Sequence, residues 1–471
     1  MHTGSRCGRP APPITHSSAL GMPMAAQPFG RRRVVMLPDR LLWIPEVDTP
    51  LAVGDCQEIQ ALDLCRHAGG KAAVYHVPHY TSEACGAAFG PLSLACLLHF
   101  CRGLDAALAL GAVALTTPKG DTATRLNSLV MLGGYMIAKH AWSAKQLADT
   151  IGEDSRARFV CSWSRSASPE PQRLLTVFDT WAGLEIASKR SWLDRVCMED
   201  DAELEAAVSE YNMQAICFDA TWIIPGLLMV SSDPTINAVD PNPATCKRIS
   251  PSNGCDSIAS GASTRCTASD IVRTPSTASQ DSACSVHTVC REFAEIGDDL
   301  SPCDPSSVPA DFASFLVQSG VGIVVRANHE EEAGMPGPSY DEGTFEPFGI
   351  EQANVRVVDR HGALPRPEDV ARMIEVCETF LDPAAGEHAA VLVHCKGGFG
   401  RSVVLAACLA IHRYDLPGSA LLGWVRVARP GAITTREQEL FLKSLKGKAD
   451  VMRYSKFSRV SGTSCAGCSL Q

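Results

Sequence analysis

The sequence predicts an α/β fold that is built twice, as two tandem domains that each have a central sheet flanked by helices. Short β-forming segments alternate with longer apolar segments of helical periodicity, which is typical of this class. The order strand, polar loop, arginine, apolar helix, turn and second helix occurs around Arg125 and again around Arg401. The length of 471 residues is sufficient for two or three domains. We therefore interpret the chain as an internal duplication of one domain.

Composition limits the kind of protein. A hydrophobic content of 45% supports real cores, and a net charge of −10 argues against a surface made to bind nucleic acid. No apolar run reaches the ~20 residues of a membrane span, and the N-terminus lacks the apolar segment of a secretory signal. The 20 cysteines are irregularly spaced. We therefore expect reduced thiols that pack as small hydrophobes, such as Cys96, Cys377 and Cys408.

The first domain is predicted to span residues 37–198. Residues 1–36 contain no acidic residue and are rich in Pro, Ser and Ala. We expect them to be a disordered extension, with an organelle transit peptide as the alternative. Strands are predicted at residues 41–45 and 72–77 and from Gly111, and helices at 89–101, 126–141 and 143–151.

An acidic helix within residues 199–217 is predicted to link the two domains. The second domain follows at 218–450 and contains an insertion at 234–308. This insertion is rich in Ser, Thr and Pro and is expected to be disordered, because it buries too little apolar surface. Residues 451–471 are predicted to be a basic tail. Strands are predicted at 218–224, 321–326, 355–358 and 391–394. Helices are predicted at 310–320, 367–381 and 401–411, after a turn at 416–418 as far as Val427, and at 431–446.

The segment Val391–Ser402 is the most informative part of the sequence. A strand runs into Cys395, and a glycine-rich loop then opens an apolar helix. A free thiol is mostly protonated at neutral pH, whereas main-chain N–H groups and a helix N-terminus stabilise the thiolate and bind a dianion. Gly397, Gly398 and Gly400 allow the chain to turn so that these N–H groups converge. The segment predicts a nucleophilic cysteine at the base of a phosphate-binding loop.

Two further residues complete the predicted chemistry of this loop. Arg401, six residues after Cys395, is placed to hold two phosphate oxygens in its planar guanidinium. Ser402 is placed to hydrogen-bond the sulfur and help it leave in the second step. Lys396 and Phe399 are predicted to bind phosphate with the rest of the loop. A buried structural cysteine is the alternative, but the pattern His-Cys-x5-Arg-Ser is the signature of the cysteine-based phosphatases.

The first copy of the domain has no cysteine between Val113 and Arg125. Because it lacks a nucleophile, we expect it to shape a binding cleft without doing covalent chemistry. Substrate specificity is therefore expected in the cleft between the two copies.

The reaction also needs an acid for the leaving group and then a base for water. Asp359 is the favoured candidate, because it ends a predicted strand and precedes a loop that contains Gly and Pro. Asp341, Asp369 and Asp382 are the alternatives. Gln438 is predicted to position the hydrolytic water, with an exposed helix glutamine as the alternative.

With these residues identified, the chain resembles the cell-division-cycle fourteen family of dual-specificity protein phosphatases, from about Leu41 to Lys446 without the insertion. The resemblance implies tandem dual-specificity-phosphatase folds, the first inactive and the second catalytic, and it implies no cofactor. Cys395 matches the nucleophile, Arg401 the phosphate binder and Asp359 the general acid. The matching motifs are Phe89-Gly-Pro-Leu, Trp222-Ile-Ile-Pro-Gly, Ile323-Val-Val-Arg-Ala-Asn, the loop at 394–402 and Trp424-Val-Arg-Val-Ala-Arg-Pro-Gly.

The resemblance also implies substrates. Members of the family remove phosphate from Ser-Pro and Thr-Pro sites made by cyclin-dependent kinases, often with a basic residue shortly after the proline, in control of the cell cycle. An acidic groove near the interdomain helix reads that basic residue. The residues expected to bind substrate are Glu199, Asp200, Asp201, Glu203, Glu205 and Gln438. For the acidic residues the alternative is a solvated helix face, and for Gln438 it is an exposed helix glutamine.

Some positions depart from the family pattern. Ser402 stands where the family has Thr, Val403 where it usually has Gly, and Phe399 where it usually has Leu. The long insertion, an acidic loop at 329–343 and an extended spacer after Asp359 are also unusual. These differences bear on substrate preference more than on the reaction.

The sequence ends in Cys468-Ser-Leu-Gln after a run of Lys and Arg. This matches a prenylation box in which the final Gln favours a farnesyl group on Cys468, and Cys465 is a site for a second acyl chain. A plain disordered tail is the alternative, and half of a zinc site is a weaker one. We expect the protein in the cytoplasm and nucleus, and at a membrane if Cys468 is prenylated.

Two other functions stay open at this point. A phosphoinositide phosphatase at a membrane is favoured only by the tail, and its loop would be expected to carry more basic residues than Lys396. A phosphopeptide-binding scaffold would require the loss of Cys395, Arg401 or Asp359, and all three are present. The favoured function is a phosphatase that acts on phosphorylated proteins.

Overall fold

The computed structural model describes most of both halves of the chain. The N-terminal extension, the predicted strand at 72–77, most of the insertion and the end of the tail lie outside the described residues. Those that it describes are 34–47, 56–60, 91–159, 175–197, 200–237, 310–333, 335, 337–359, 363–381 and 390–461.

The first half consists of a four-stranded sheet with helices packed against it. Its strands have the order β1-β2-β4-β3, in which β1 is antiparallel to β2 and the other pairs are parallel. The elements are β1 (Val35–Met36), β2 (Leu41–Val47), β3 (Cys56–Gln60), α1 (Leu94–Leu110), β4 (Ala112–Pro118), α2 (Thr122–His140), α3 (Ala144–Ile151) and α4 (Val177–Lys189).

The second half begins after a linking helix, α5 (Asp201–Cys217). Its sheet has five strands in the order β5-β6-β9-β7-β8, again with one antiparallel pair, β5 and β6, at one edge. The elements are β5 (Ala220–Ile224), β6 (Leu228–Ser231), α6 (Pro234–Asn237), α7 (Ala310–Gln318), β7 (Val321–Arg326), β8 (Glu351–Asn354), α8 (Pro367–Phe380), β9 (Ala390–His394), α9 (Arg401–Tyr414), α10 (Gly418–Ala428), α11 (Arg436–Ser444) and α12 (Lys448–Ser461).

The two sheets match strand by strand. The order β1-β2-β4-β3 corresponds to β5-β6-β9-β7, with the same antiparallel first pair and parallel neighbours, and the second half adds β8 at the edge. In each half the central strand, β4 or β9, leads through a short loop into a long apolar helix. The α/β fold predicted as two tandem units is confirmed.

The two halves share one hydrophobic core. A single cluster of buried apolar side chains extends from Leu37 in the first half to Val451 in the second. Helices α4 and α10 approach so closely that a Cβ on Gly183 would overlap the main chain of α10, and a Cβ on Gly423 would overlap that of α4. Tyr211 of the linking helix donates a hydrogen bond to the Ala428 carbonyl at 2.8 Å. The linker is therefore part of the packed structure.

Several predicted boundaries are wrong. The strand placed at 355–358 lies at Glu351–Asn354, because β7 ends at Arg326 and the regular ladder stops there. Val355 and Val357 still donate to carbonyls just beyond that point, at 2.9 Å each, so the chain stays extended up to Asp359.

Two predicted helices also differ at their ends. The helix predicted at 89–101 begins at Leu94, because Ser93 caps it by accepting a hydrogen bond from the Cys96 N–H, and it continues to Leu110. The helix predicted at 431–446 spans only Arg436–Ser444 and is capped by Thr435.

The predicted tail and insertion both begin with ordered residues. The tail was placed from residue 451, but α12 continues to Ser461 and buries Val451. The Tyr454 hydroxyl donates to the Pro365 carbonyl at 2.6 Å, which fixes α12 against the second half. The insertion was placed from residue 234, where the chain instead forms the short helix α6.

The cysteines named as small hydrophobes behave as predicted. Cys377 in α8 and Cys408 in α9 are buried free thiols, and burial raises the pKa of each to about 12. Cys96 in α1 is a half-buried free thiol. Among the helices that the structure describes, none is long and apolar enough to cross a bilayer.

Candidate active site

The site lies where β9, the central strand of the second sheet, ends. His394 is the last residue of β9 and is paired with Ser231 at the end of β6 and with Arg326 at the end of β7. The loop Cys395–Gly400 follows, and α9 begins at Arg401. Because parallel strands bring their carboxyl ends to one edge, this loop has the ends of both neighbouring strands beside it.

The loop turns against the end of β6. Gly398 has a φ of +68°, and a Cβ there would overlap the main chain of Ser231 and Ser232. Only glycine combines this conformation with this close approach. Gly400 is the N-cap of α9 and offers no side chain to the first N–H groups of the helix. These groups therefore face the loop as a place for an anion.

Cys395 lies at the base of the loop and is only 3% exposed. Its Sγ is 3.3 Å from the hydroxyl of Ser402, which is itself fully buried in the first turn of α9. The structure thus brings together the predicted nucleophile and the hydroxyl predicted to assist the departure of its sulfur.

Arg401 is held by a carboxylate that sequence reasoning did not identify. Its two Nη atoms donate to the two carboxylate oxygens of Glu332 at 2.6 Å each, and Nη1 also donates to the Val357 carbonyl at 3.0 Å. Glu332 in turn accepts a hydrogen bond from the His329 N–H at 2.8 Å. The sequence signal for this contact was the acidic loop at 329–343, whose role was not recognised.

The Glu332 pair has consequences for charge and geometry. Burial alone lowers the pKa of Arg401, but the hydrogen bonds with Glu332 and the nearby Cys395 and Asp359 outweigh it, so the pKa is raised and the guanidinium stays charged. Glu332 uses the Nη1–Nη2 edge, so the Nε–Nη2 edge is the one left to bind two oxygens of a phosphate. Arg401 is thus a fixed cation beside the loop.

Asp359 is the only one of the four candidate acids that the described residues bring next to Arg401. Its Oδ2 is 3.5 Å from Nη2 of Arg401, and the side chain is 49% exposed. Asp369 instead belongs to the first turn of α8, where it accepts hydrogen bonds from Arg366. Asp341 is an exposed residue near the edge strand, and Asp382 lies outside the described residues.

Gln438 lies against the loop. It is fully buried, and a Cβ on Gly400 would be 3.0 Å from its Nε2. Its Oε1 accepts a hydrogen bond from the Thr434 N–H at 3.0 Å, and its Nε2 donates to the Ala363 carbonyl at 3.3 Å. The exposed alternative is therefore wrong, and a role in positioning water stays a prediction.

The other loop residues are held from two sides. Lys396 donates to the Ala333 carbonyl at 2.5 Å, so it reaches the same acidic segment as Arg401. The ring of Phe399 lies 4.2 Å from the guanidinium of Arg429. Arg429 is buried and donates to the Gly398 carbonyl at 2.8 Å. Its motif was noted in the sequence, but this buttressing of the loop was not foreseen.

Arg429 also forms hydrogen bonds with residues at the start of β5. It donates to Asp219 at 2.8 Å and to the Thr221 hydroxyl at 3.1 Å, at the start of β5. One buried arginine therefore ties the loop to the edge of the sheet on which the second half begins.

The acidic residues predicted to form a substrate groove are occupied elsewhere. Asp200 caps α5 by accepting from two N–H groups of its first turn, and Asp201 pairs with Arg102 of α1 at 2.5 Å. Glu205 is 3.9 Å from His99. These hydrogen bonds and ion pairs lie on the first half and within α5, not at the catalytic loop.

The three other predicted site residues make no contact that bears on the loop or lie outside the described residues. Glu203 is exposed on the first turn of α5. Glu199 and the lipidation candidate Cys468 lie outside the described residues.

The corresponding site in the first half is closed. Only residues 119–121 connect β4 to α2, whereas six residues, 395–400, connect β9 to α9. The carboxylate of Asp121 accepts hydrogen bonds from the Thr124 N–H at 2.9 Å and its hydroxyl at 2.6 Å, so the chain fills its own anion position. Arg125 is paired with Glu46 at 2.5 Å. Among the described residues, the connection from β4 to α2 contains no cysteine and is three residues shorter than the one from β9 to α9.

Comparisons with known proteins agree with this description. The family model for the N-terminal half of dual specificity protein phosphatases matches residues 74–187. The tyrosine-protein phosphatase cdc-14 of Caenorhabditis elegans is 24% identical over 322 residues, covering 68% of this chain and 34% of that protein. The dual specificity protein phosphatase CDC14A of Mus musculus is 28% identical over 153 residues, covering 32% of this chain and 22% of that protein. The chain thus spans about a third or less of the length of these curated relatives.

Among solved structures, the crystal structure of PTPMT1 in complex with PI(5)P is similar over 31% of this chain and 87% of that chain, with 20% identity and a TM-score of 0.26.

The duplicated sheet, the open helix N-terminus and the Cys-x5-Arg loop are the features that this chain shares with the dual-specificity class of cysteine-based phosphatases. The relatives and the matched family model narrow this resemblance. The chain is similar to the CDC14 dual-specificity phosphatases.

Proposed function

We propose that the protein is a phosphatase that hydrolyses phosphoserine, phosphothreonine and phosphotyrosine in proteins through a cysteinyl-phosphate intermediate. The observation that carries this proposal is the arrangement around Cys395. The thiol lies beneath an uncapped helix N-terminus, 3.3 Å from the Ser402 hydroxyl, with Arg401 and Asp359 next to each other beside the loop.

The first step transfers the phosphoryl group to sulfur. The Cys395 thiolate attacks phosphorus while the bond to the substrate oxygen breaks, and protonated Asp359 gives its proton to that oxygen. The loop N–H groups and Arg401 hold the three other phosphoryl oxygens. In the second step Asp359 takes a proton from water, whose oxygen attacks phosphorus. The sulfur leaves as a thiolate, which the Ser402 hydroxyl stabilises by a hydrogen bond.

The substrates follow from the family. Relatives are named as tyrosine-protein or dual specificity phosphatases. We propose Ser-Pro and Thr-Pro sites made by cyclin-dependent kinases as the main substrates, with a role in cell-cycle control. Asp200 caps α5 and Asp201 pairs with Arg102, and their role in reading a basic residue after the proline stays a prediction.

The location of the protein is part of the same proposal. Among the described residues, none of the following cysteines forms a disulfide: Cys96, Cys101, Cys217, Cys377, Cys395 and Cys408. Reduced thiols suit the reducing interior of a cell. We propose the cytoplasm and nucleus, which localisation of the tagged full-length chain would test.

Activity on three substrates tests the reaction and its specificity. The full chain would be assayed on a phosphoserine peptide with Pro and a following Lys, on a phosphotyrosine peptide, and on phosphoinositide vesicles. The expected result is turnover of both peptides. A clear preference for the vesicles would overturn the substrate class, and absence of turnover on all three would overturn the reaction.

Two variants test the roles of individual residues. Cys395→Ser should abolish turnover and still bind the phosphopeptide, because the loop N–H groups and Arg401 are unchanged. Asp359→Ala should lower kcat about 10²- to 10⁴-fold, the usual contribution of an acid–base group. Asp341→Ala is the matched control, since Asp341 is exposed and its side chain is not placed at the loop. Full activity of Cys395→Ser would contradict the covalent mechanism.

A further inference from the structure

Asp233 is a fully buried carboxylate beneath the catalytic loop that the mechanism above does not use. It follows β6, and its N–H donates to the Lys396 carbonyl at 3.1 Å, so its main chain touches the loop directly. Its Oδ1 accepts from the Thr235 N–H at 3.0 Å and from the Thr235 hydroxyl at 2.7 Å. Its Oδ2 accepts from Asn328 at 2.7 Å and from the Ser339 hydroxyl at 2.6 Å. Four donors thus surround this carboxylate.

His394, the residue before the nucleophile, lies beside this carboxylate. Its Nε2 is 2.5 Å from the Tyr340 hydroxyl, and its Nδ1 is 4.0 Å from Oδ2 of Asp233. Both ring and carboxylate are fully buried. Burial lowers the pKa of His394 to about 4, so the imidazole is neutral at physiological pH and carries one proton on one of its two nitrogens.

The surroundings of the ring decide which nitrogen carries the proton. Burial raises the pKa of Tyr340 well above its usual value, so its hydroxyl keeps its proton and donates it to Nε2. The proton of the imidazole is then on Nδ1. Nδ1 lies 4.0 Å from Oδ2 of Asp233 and faces the Cys395 main chain. The negative charge of Asp233 favours a proton at that position.

The other charged groups near the ring are arranged differently. Arg326 donates to the Tyr340 carbonyl at 2.6 Å and lies over its ring, so it acts on the tyrosine. Arg401 stays charged and is paired with Glu332. Arg326 and Arg401 both disfavour positive charge on His394. Among these charged groups Asp233 favours it, and the Cys395 main chain favours it as well.

We propose that Asp233 is a positioning residue for the phosphatase reaction: it keeps His394 as the Nδ1–H tautomer and so directs that N–H toward the Cys395 main chain. This inference rests on the proposed function for its catalytic meaning. Without the charge of Asp233, the proton of the imidazole can move to Nε2. Nδ1 then presents a lone pair, and not an N–H, to the Cys395 main chain. The dipole beneath the nucleophile is then reversed, and the thiolate loses part of its stabilisation.

The test compares the full-length wild-type chain with Asp233→Asn. Asp121→Asn is the matched control, because Asp121 also accepts hydrogen bonds from the N–H and hydroxyl of one threonine, but lies in the first half. Nitrogen-15 spectra of the labelled histidines report which nitrogen of His394 carries the proton, with the signal assigned by its absence in His394→Asn. Alkylation of Cys395 by iodoacetamide across pH, read by peptide mass spectrometry, reports its thiolate fraction.

The expected result is an Nδ1–H signal for His394 in the wild type that is lost or mixed in Asp233→Asn. The pH midpoint of Cys395 alkylation should rise by about one unit in that variant, the size of effect that one nearby charge has, and stay unchanged in Asp121→Asn. A midpoint that falls would show that Asp233 acts only as a charge that repels the thiolate, and an unchanged midpoint would show a merely structural role. Either overturns the proposal.

Two further outcomes are informative. If Asp233→Asn does not fold, the wild-type spectrum decides, because an Nε2–H signal for His394 overturns the proposal by itself. Neither readout needs turnover. A chain that shows the expected tautomer and alkylation shift but hydrolyses no phosphoester would therefore overturn the proposed function and leave the role of Asp233 in place.

Discussion

Replacing Glu332 by Gln would remove the charge that faces both Nη atoms of Arg401 and keep the size of the side chain. In the structure both carboxylate oxygens accept from Arg401 at 2.6 Å, and Arg401 is 2% exposed. Hydrogen bonds to charged groups contribute about 1.5–3 kcal/mol each, and neutral ones about 0.5–1.5 kcal/mol. The variant keeps one bond, from the guanidinium to the amide oxygen, and places an NH2 group against the other Nη. We therefore expect a loss of about 3 kcal/mol, near the lower end for breaking a buried ion pair.

This loss should appear mainly in catalysis, because Arg401 then no longer has a single orientation toward the phosphate. At 1.36 kcal/mol per factor of ten, about 3 kcal/mol corresponds to a fall of roughly 10² in kcat/KM. The assay is steady-state hydrolysis of a phosphopeptide. Glu330→Gln is the control: Glu330 lies in the same segment but is 54% exposed, and its pairs with Arg326 and Arg356 should contribute at most about 1 kcal/mol.

The same pair predicts a dependence of stability on pH. Burial alone raises the pKa of Glu332, but the hydrogen bonds from Arg401 and the His329 N–H outweigh it, so the folded-state pKa lies below the usual value. A carboxyl group with a depressed pKa stabilises the fold above its unfolded pKa of about 4.3, and this stabilisation is lost as the pH falls through the folded value. The difference in unfolding free energy between wild type and Glu332→Gln should therefore shrink below about pH 4.

The reasoning would be refuted by a Glu332→Gln enzyme with equal or higher kcat/KM than the wild type. Higher activity would mean that the carboxylate competes with phosphate for Arg401 instead of orienting it. A loss equal to that of Glu330→Gln would mean that the acidic segment as a whole, and not this pair, matters.

Three further substitutions test the packing around the loop. Gly398→Ala should lower kcat/KM at least about 10²-fold in a folded protein, since a Cβ at φ +68° overlaps the β6 main chain and displaces the loop; wild-type kinetics would contradict this. Arg429→Gln leaves Asp219 without its cation and should cost about 3 kcal/mol in urea unfolding. Gly183→Ala should cost about 1–3 kcal/mol by overpacking the α4–α10 contact. The open-site control Gly111→Ala, whose Cβ would meet nothing within 4 Å, should cost much less.

The loop and its fold could be predicted because the residues that determine them are close together in the sequence. The strand, the glycines, Cys395 and Arg401 lie within twelve residues, and each residue type has a physical reason at its position. The duplication was visible for a similar reason, since strand, loop, arginine and helix follow one another twice. Boundaries were harder: the strand before Asp359 was misplaced because its end is set by where the neighbouring β7 stops.

What sequence reasoning missed are contacts between segments far apart in the chain. Glu332 is one of three consecutive glutamates, and only the folded chain shows which of them reaches Arg401. Arg429 and Asp233 contact main-chain carbonyl groups of the loop. Every residue has such a carbonyl, so the residue types of the loop do not reveal these contacts. The predicted acidic groove stays a prediction. A run of acids on a helix looked like a binding surface, but Asp200 and Asp201 are used for capping and for an ion pair.

The first half of the chain packs against the helix that leads to the catalytic loop. Its own loop after β4 has three residues, and Asp121 accepts hydrogen bonds from Thr124 there. Helix α4 of this half packs without a side chain between it and α10, at Gly183 and Gly423. Helix α10 ends one residue before Arg429, which holds the Gly398 carbonyl of the catalytic loop. A shift of α4 is therefore passed to the loop through one rigid helix and one buried arginine. The position of Arg429, and with it the shape of the loop, therefore depends on the α4–α10 contact.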